Sequence, residues 1–240
     1  MDPELDERTR RLLGDEAAER LSSLHILVAG VGGVGGYAAE ILCRAGVGRL
    51  SFIDADRFAP SNRNRQLHAL ASTAGKYKAE CVVRRCRDIN PDGKFAGAVR
   101  RITPENAGDL LAEFAPDGLI DAIDDVPAKC ALLLAAFRAG VPLVSSMGAG
   151  AKLDPGRIAV ADLGRSSGCP LARAVRSRLR AAGVTRGIPC VYSPEPKVLR
   201  PGAAGFGTVS YMPALFGIRA AAELLRRLLA AEPGRPAENT

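Results

Sequence analysis

The chain of 240 residues is 47% hydrophobic and 25% charged, an ordinary globular balance that excludes disorder or a fibrous repeat as its main theme. Thirty-three basic against 26 acidic side chains give a net charge of +7, which serves solubility or meets an anionic partner. Aromatics at 5%, with no Trp, argue against a surface that stacks a whole single strand.

Residues up to Leu21 carry Leu12, Leu13, Ala17 and Leu21 at helical spacing. The apolar run 24–29 predicts a strand buried on both faces. Glycines follow at once, then a helical pattern over 37–45 and a second strand, 50–53, that ends at Asp54. A helix over 78–89 stops before Asn90-Pro91, because the residue ahead of a proline is pushed out of the α region. The alternation continues with a strand at 95–102, a helix at 106–114, a strand at 119–123, a helix at 128–139 and a strand at 141–146. It predicts an α/β fold, doubly wound about a mainly parallel sheet.

Beyond Gly148 the rhythm changes. A strand is expected at 157–162, a basic helix at 170–182, a proline-rich extended stretch at 188–201, a glycine-rich loop at 202–207 and a last helix at 213–231. The expected organisation is one domain over 1–240: a nucleotide-binding half at 1–147, an extension for substrate and dimer contacts at 148–232, and a disordered tail at 233–240. The opening MDPELDERTRR has no apolar core, so no secretory leader is expected. Arg219, Glu223, Arg226 and Arg227 interrupt the most apolar late stretch, so no membrane span is expected either. Six cysteines, at 43, 81, 86, 130, 169 and 190, form no CxxC pair. This predicts reduced thiols in a cytoplasmic protein and no structural zinc.

Gly30-Val31-Gly32-Gly33-Val34-Gly35-Gly36 places G-x-G-x-x-G between a strand and a helix. Without Cβ atoms the backbone can wrap a phosphate, and the helix N-terminus supplies free N–H groups. Asp54 ends the second strand, where a carboxylate accepts hydrogen bonds from ribose hydroxyls. These features point to a Rossmann-like nucleotide site and would suit an NAD-dependent oxidoreductase. The cationic run Asn62-Arg63-Asn64-Arg65-Gln66 and Lys78 turn the reading toward adenylyl transfer. There the α-phosphate gains charge in the transition state and pyrophosphate must be held as it leaves. Asp124, at the carboxyl end of a buried strand, can share Mg²⁺ with phosphate oxygens, or it can simply cap the next helix.

The run GVGGVGGYAAEILCRAGVGRLSFIDADRFAPSNRNRQLHAL resembles the ThiF/ubiquitin-activating-enzyme-like superfamily of ATP-dependent adenylating enzymes. NRQLHAL, GKYKAE, RDINPDGK, IDAIDDVPAK and GAGAKLDPGRIAVADL narrow the resemblance to its tRNA threonylcarbamoyladenosine dehydratase branch, and CVYSPEP and GFGTVSYMPALFG extend it to nearly the whole chain. The resemblance implies that Gly30, Gly32, Gly33 and Gly35 with Asp54 bind ATP, that Arg65 and Lys78 hold its phosphates, and that Asp124 organises Mg²⁺. Asn62 and Gln66 complete the lining, and Arg11 reaches the phosphates from the other subunit of a homodimer. The implied reaction is ATP-dependent cyclisation of threonylcarbamoyladenosine in tRNA through an adenylated carboxylate. The alternative is adenylation of a ubiquitin-like sulfur carrier, with a cysteine-desulfurase or sulfur-acceptor system as partner. Carrier-activating relatives often hold zinc through two CxxC pairs, which this sequence lacks, and Cys169 or Cys190 would then be the thiol to test. The sequence SSMGAG departs from the TTGGAG of several relatives, a change expected to alter the local pocket shape at Met147. Arg173, Arg176 and Arg180 fall on one face of the basic helix with no carboxylate nearby, a solvated face or a contact for the tRNA backbone. His68 is expected to pack at a helix end, although it lies near the nucleotide run.

Overall fold

The computed structural model describes residues 5–202 and 205–230, so the predicted tail at 233–240 lies outside the described residues. Seven strands form one sheet in the order β3-β2-β1-β4-β5-β7-β6. These are β1 (His25–Ala29), β2 (Arg49–Ile53), β3 (Lys94–Ala98), β4 (Gly118–Asp121), β5 (Leu143–Ser146), β6 (Ala159–Asp162) and β7 (Pro189–Tyr192). All pairs are parallel except β6, which runs antiparallel to β7. Helices α1 (Glu7–Leu13) and α2 (Asp15–Ser23) precede the sheet. The others are α3 (Gly35–Arg44), α4 (Lys78–Ile89), α5 (Ala107–Phe114), α6 (Val126–Arg138), α7 (Pro170–Ala181) and α8 (Tyr211–Ala230).

The pleat of β1 explains the double winding. Ile26 and Val28 point into a core with Leu42, Phe52, Val82, Phe216 and Leu224. Leu27 and Ala29 point the other way, into a core with Leu110, Leu119, Leu133 and Leu179. Successive side chains of a strand face opposite sides, so a strand apolar throughout demands cover on both. Gly217 lets α8 close onto α3, since a Cβ there would fall on the carbonyl oxygen of Val34.

The structure revises four expected boundaries. The single N-terminal helix is two, broken at Gly14 with φ of +85°. The third strand ends at Ala98, and residues 100–102 lie outside the sheet and border the cavity described below. The sixth spans only Ala159–Asp162. The proline-rich stretch contains a strand, β7, inserted between β5 and β6, so the second half of the chain extends the same sheet. Among the described residues no helix is long and apolar enough to cross a membrane.

Candidate active site

The chain order of the strands reverses between β1 and β4, and at their carboxyl ends opens a cavity of about 720 Å³. An open α/β sheet takes its ligands at such a reversal, because connections leave to opposite faces and part the loops above it. Gly30, Gly32, Gly33, Asp54, Arg65, Gln66, Lys78 and Asp124, drawn from distant parts of the sequence, all line it.

The glycines divide into two duties. Gly30 adopts a φ of +81°, and a Cβ on it would stand 2.9 Å from Ala122 O, so it makes the turn off β1. Gly32 and Gly33 face the cavity. Gly35 is not among them; a Cβ there would land on Gly30 O, so its bare backbone makes the tight junction of loop and helix. Asp54 shapes the same loop. Its Oδ2 accepts from Val31 N at 2.9 Å and its Oδ1 from Asp56 N at 2.9 Å, leaving lone pairs on both oxygens for a ligand hydroxyl.

Lys78, buried at the start of α4, donates from Nζ to Asp56 Oδ2 at 3.0 Å, and Arg101 stands 3.5 Å from the same carboxylate. Asp56 therefore holds two cations apart and aimed at the cavity edge. No motif marks Asp56 as it marks Asp54, and the Asp54-Ala55-Asp56 run is its signal in the sequence. Arg65 is steadied by Ser61 O at 3.0 Å and Asn64 Oδ1 at 2.9 Å. Gln66 is buried with Oε1 unpartnered by protein, an acceptor left beside the glycine loop. Asp125, not Asp124, caps α6 by accepting from Ala128 N at 2.9 Å, which leaves the Asp124 carboxylate exposed at the cavity.

Beneath Asp124 lies a pair missed in the sequence. Lys129 and Asp121 are fully buried and 2.7 Å apart. Ser145 Oγ donates to Asp121 at 2.6 Å, and Lys129 Nζ donates to Ile123 O at 3.0 Å and Ser146 O at 2.8 Å. The pair ties the carboxyl ends of β4 and β5 together under the cavity floor. A lysine within the apolar run KCALLLAAF was the available signal.

Several expected site residues lie elsewhere. Asn62 does not line the cavity; its Oδ1 accepts from Ala59 N at 3.0 Å and shapes the turn before Arg65. Arg11 is exposed on α1 and paired with Glu7, away from the cavity of its own chain. Arg176 is no open cation: its Nη1 donates to Ser166 O and Ser166 Oγ, both at 2.9 Å, and to Leu163 O at 3.3 Å, pinning α7 to the turn after β6. Arg173 and Arg180 are exposed on α7. His68 is buried 3.8 Å from Glu40 and does not line the cavity. All six cysteines are buried, and burial in β7 pushes the Cys190 thiol up to about 12, which leaves it no nucleophilic thiolate. Cys169 lines the cavity just ahead of α7. Among the described residues no group of three or more His, Cys, Asp or Glu is placed to hold a metal ion.

Compared with known proteins, residues 6–240 match the ThiF family. The chain is 36% identical to the tRNA threonylcarbamoyladenosine dehydratase of Escherichia coli (strain K12), covering 92% of each protein. It is 39% identical to the protein of the same name from Bacillus subtilis (strain 168), covering 80% of this chain and 76% of that one. Its fold superposes on the crystal structure of the E. coli enzyme in complex with ATP with a TM-score of 0.90, at 37% identity over 95% of both chains.

Proposed function

The chain belongs to the ThiF family, and on that premise we propose that it is an ATP-dependent tRNA threonylcarbamoyladenosine dehydratase. The observation that carries the reading is one continuous cavity. It runs from a cation-rich glycine loop at β1 and β2 to an open wall of small residues after β5, room for a nucleotide and a second substrate side by side.

In this reading the threonyl carboxylate attacks the α-phosphorus of ATP and pyrophosphate leaves. The carbamoyl nitrogen then bonds to the activated carbonyl carbon, the C–O bond to AMP breaks, and the nitrogen gives up its proton as the ring closes. Gly32, Gly33 and the N-terminus of α3 offer backbone N–H groups to the phosphates above the turn that Gly30 makes, while Asp54 receives a ribose hydroxyl. Lys78 and Arg65, each restrained by a neighbour, meet charge as it develops without rearranging. Gln66 supplies a further polar contact. The free carboxylate of Asp124 suits Mg²⁺, an ion commonly held by one or two carboxylates together with substrate phosphates. When bound, that ion would neutralise phosphate charge.

The halves at 1–147 and 148–232 then serve the nucleotide and the second substrate. A homodimer fits α1, which buries none of its own residues and leaves Leu12 82% exposed beside Arg11, as a helix meant for a partner would. A tRNA substrate supports a cytoplasmic location. A sulfur-acceptor role would fall to Cys169, which lines the cavity, or would need one of the other five buried thiols to be uncovered.

The test is mass spectrometry of tRNA nucleosides after incubation with the protein, ATP and Mg²⁺. Threonylcarbamoyladenosine should lose the mass of one water only when ATP is present. An unchanged nucleoside, with a sulfur-carrier C-terminus adenylated instead, would refute the reading.

A further inference from the structure

The two ends of the cavity differ in chemistry. The end at β1 and β2 is glycine, carboxylate and cation; the other, past Ser146, is Met147, Gly148, Ala149 and Gly150 faced by Lys197 and Phe206. Phe206 is the single aromatic side chain among the described residues lining the cavity, and it is 63% exposed. A ring so exposed contributes little to the core. Its placement is nonetheless specific. A Cβ on residue 150 would come within 2.5 Å of its Cε2 and 2.7 Å of its Cδ2, so glycine lets one edge of the ring stand against the backbone. Lys197 holds its ammonium 5.0 Å from the ring centroid, over one face. With 63% of the residue exposed, the ring keeps open surface where it lines the cavity.

The segments that carry the ring are tied to one another. Ala151 N donates to Gly207 O at 2.9 Å, and Val198 N donates to Ala151 O at 2.9 Å. The Glu195 carboxylate accepts from Leu153 N at 3.0 Å and Asp154 N at 3.1 Å. Lys152, buried among main-chain carbonyls, donates to Ser193 O at 3.2 Å and to Glu195 O. A platform so fixed loses little freedom when a ligand lands on it.

We propose that Phe206 is the stacking platform for the purine of the substrate nucleoside, turned out of its RNA stack. The proposal rests on the dehydratase reading and adds which residue grips the base. Bases that must be reached for chemistry are extruded, and aromatic side chains receive them. One ring suffices for one base, even in a chain too poor in aromatics to stack a strand. From Phe206 the substituent on N6 runs along the Gly148–Gly150 wall toward Asp124 and the nucleotide. The adenine of ATP is the competing ring. Asp54 on β2 and the Gly148–Gly150 wall after β5 are three strands apart, about 14 Å across the sheet, so a nucleotide whose ribose sits on Asp54 occupies the other end.

The test uses the full protein and a short RNA stem-loop carrying threonylcarbamoyladenosine, with binding, turnover and ATP affinity read for wild type, Phe206→Ala, Phe206→Leu and Phe206→Trp. Phe206→Ala and Phe206→Leu should weaken stem-loop binding about 5- to 100-fold, Phe206→Trp should hold it near wild type, and ATP affinity should stay within about twofold in all. Stem-loop binding unchanged in Phe206→Ala, equal rescue by Leu, or a loss confined to ATP would each overturn the platform. Wild-type turnover separates the two readings. A wild-type protein that leaves the nucleoside intact defeats the dehydratase assignment, whereas normal turnover with unaffected variants defeats the platform alone.

Discussion

Lys129 stands at the head of the apolar run CALLLAAF in α6, with Asp121 2.7 Å away and neither exposed to solvent. Removing one partner of such a pair strands the other charge in the interior. Lys129→Met should therefore cost about 3–5 kcal/mol, measured by chemical denaturation, while the double change with Asp121→Asn should recover part of the loss. If Lys129→Met alone melts like wild type, the pair does not hold the ends of β4 and β5 as described. At the cavity surface the expected effect is on rate. Lys78→Ala and Arg65→Ala should each lower turnover by about 10²-fold or more with little change in stability, since both charges are already positioned. Wild-type rates in both variants would move the phosphate site elsewhere. The sequence showed Lys78, Arg65 and Asp124 because each belongs to a local motif. It hid Asp121, Lys129 and Asp56, whose partners lie on other elements and are joined only by the sheet.

Helices α3 and α4 are joined by Glu40. Its carboxylate accepts from Arg44 at 2.8 Å and Arg85 at 2.9 Å and lies 3.8 Å from His68. Burial alone would raise this carboxyl, but the neighbouring His68 ring and the hydrogen bonds from Arg85 and Arg44 outweigh it and hold Glu40 well below the usual carboxylate range. A carboxyl depressed in the folded state adds stability above its unfolded value of 4.5, and that stability is lost as pH falls through the lower folded value. Glu40→Gln should cost on the order of 2 kcal/mol at pH 7 and flatten the acid limb of the stability profile below pH 4.5. Parallel pH profiles for the variant and wild type would show that Glu40 gains nothing from its three neighbours. Element prediction was most accurate where a stop was written locally, as at α4 before Asn90-Pro91. It failed at β7. Prolines on both sides of Cys190 and Val191 mask a short strand that exists only because β5 and β6 leave a gap for it.

At the scale of the molecule the +7 charge includes two exposed cations on one helix. Arg173 and Arg180 are exposed on α7, whereas Arg176 spends its donors on Ser166 and Leu163. Replacing Arg173 and Arg180 with Ala should weaken tRNA binding and lower its salt slope by up to about one unit per lost phosphate contact. Arg176→Ala should instead loosen the fold. An unchanged salt slope in the double variant would remove α7 from the tRNA footprint. The parallel order about β1 and the ligand cleft at the reversal point were legible as a whole, because alternation and the glycine motif dictate them. The joining of β6 and β7 to the same sheet was not.

The central claim is that the threonyl carboxylate is activated as an adenylate in this cavity. It is tested most directly by labelling that carboxylate with ¹⁸O in tRNA and following the oxygen through a single turnover with ATP. An adenylate that closes to a ring must leave one carboxylate oxygen on the phosphate of AMP, so the account predicts AMP carrying one ¹⁸O for each ring formed. Ring formation with unlabelled AMP, or with ADP and labelled phosphate, would contradict it.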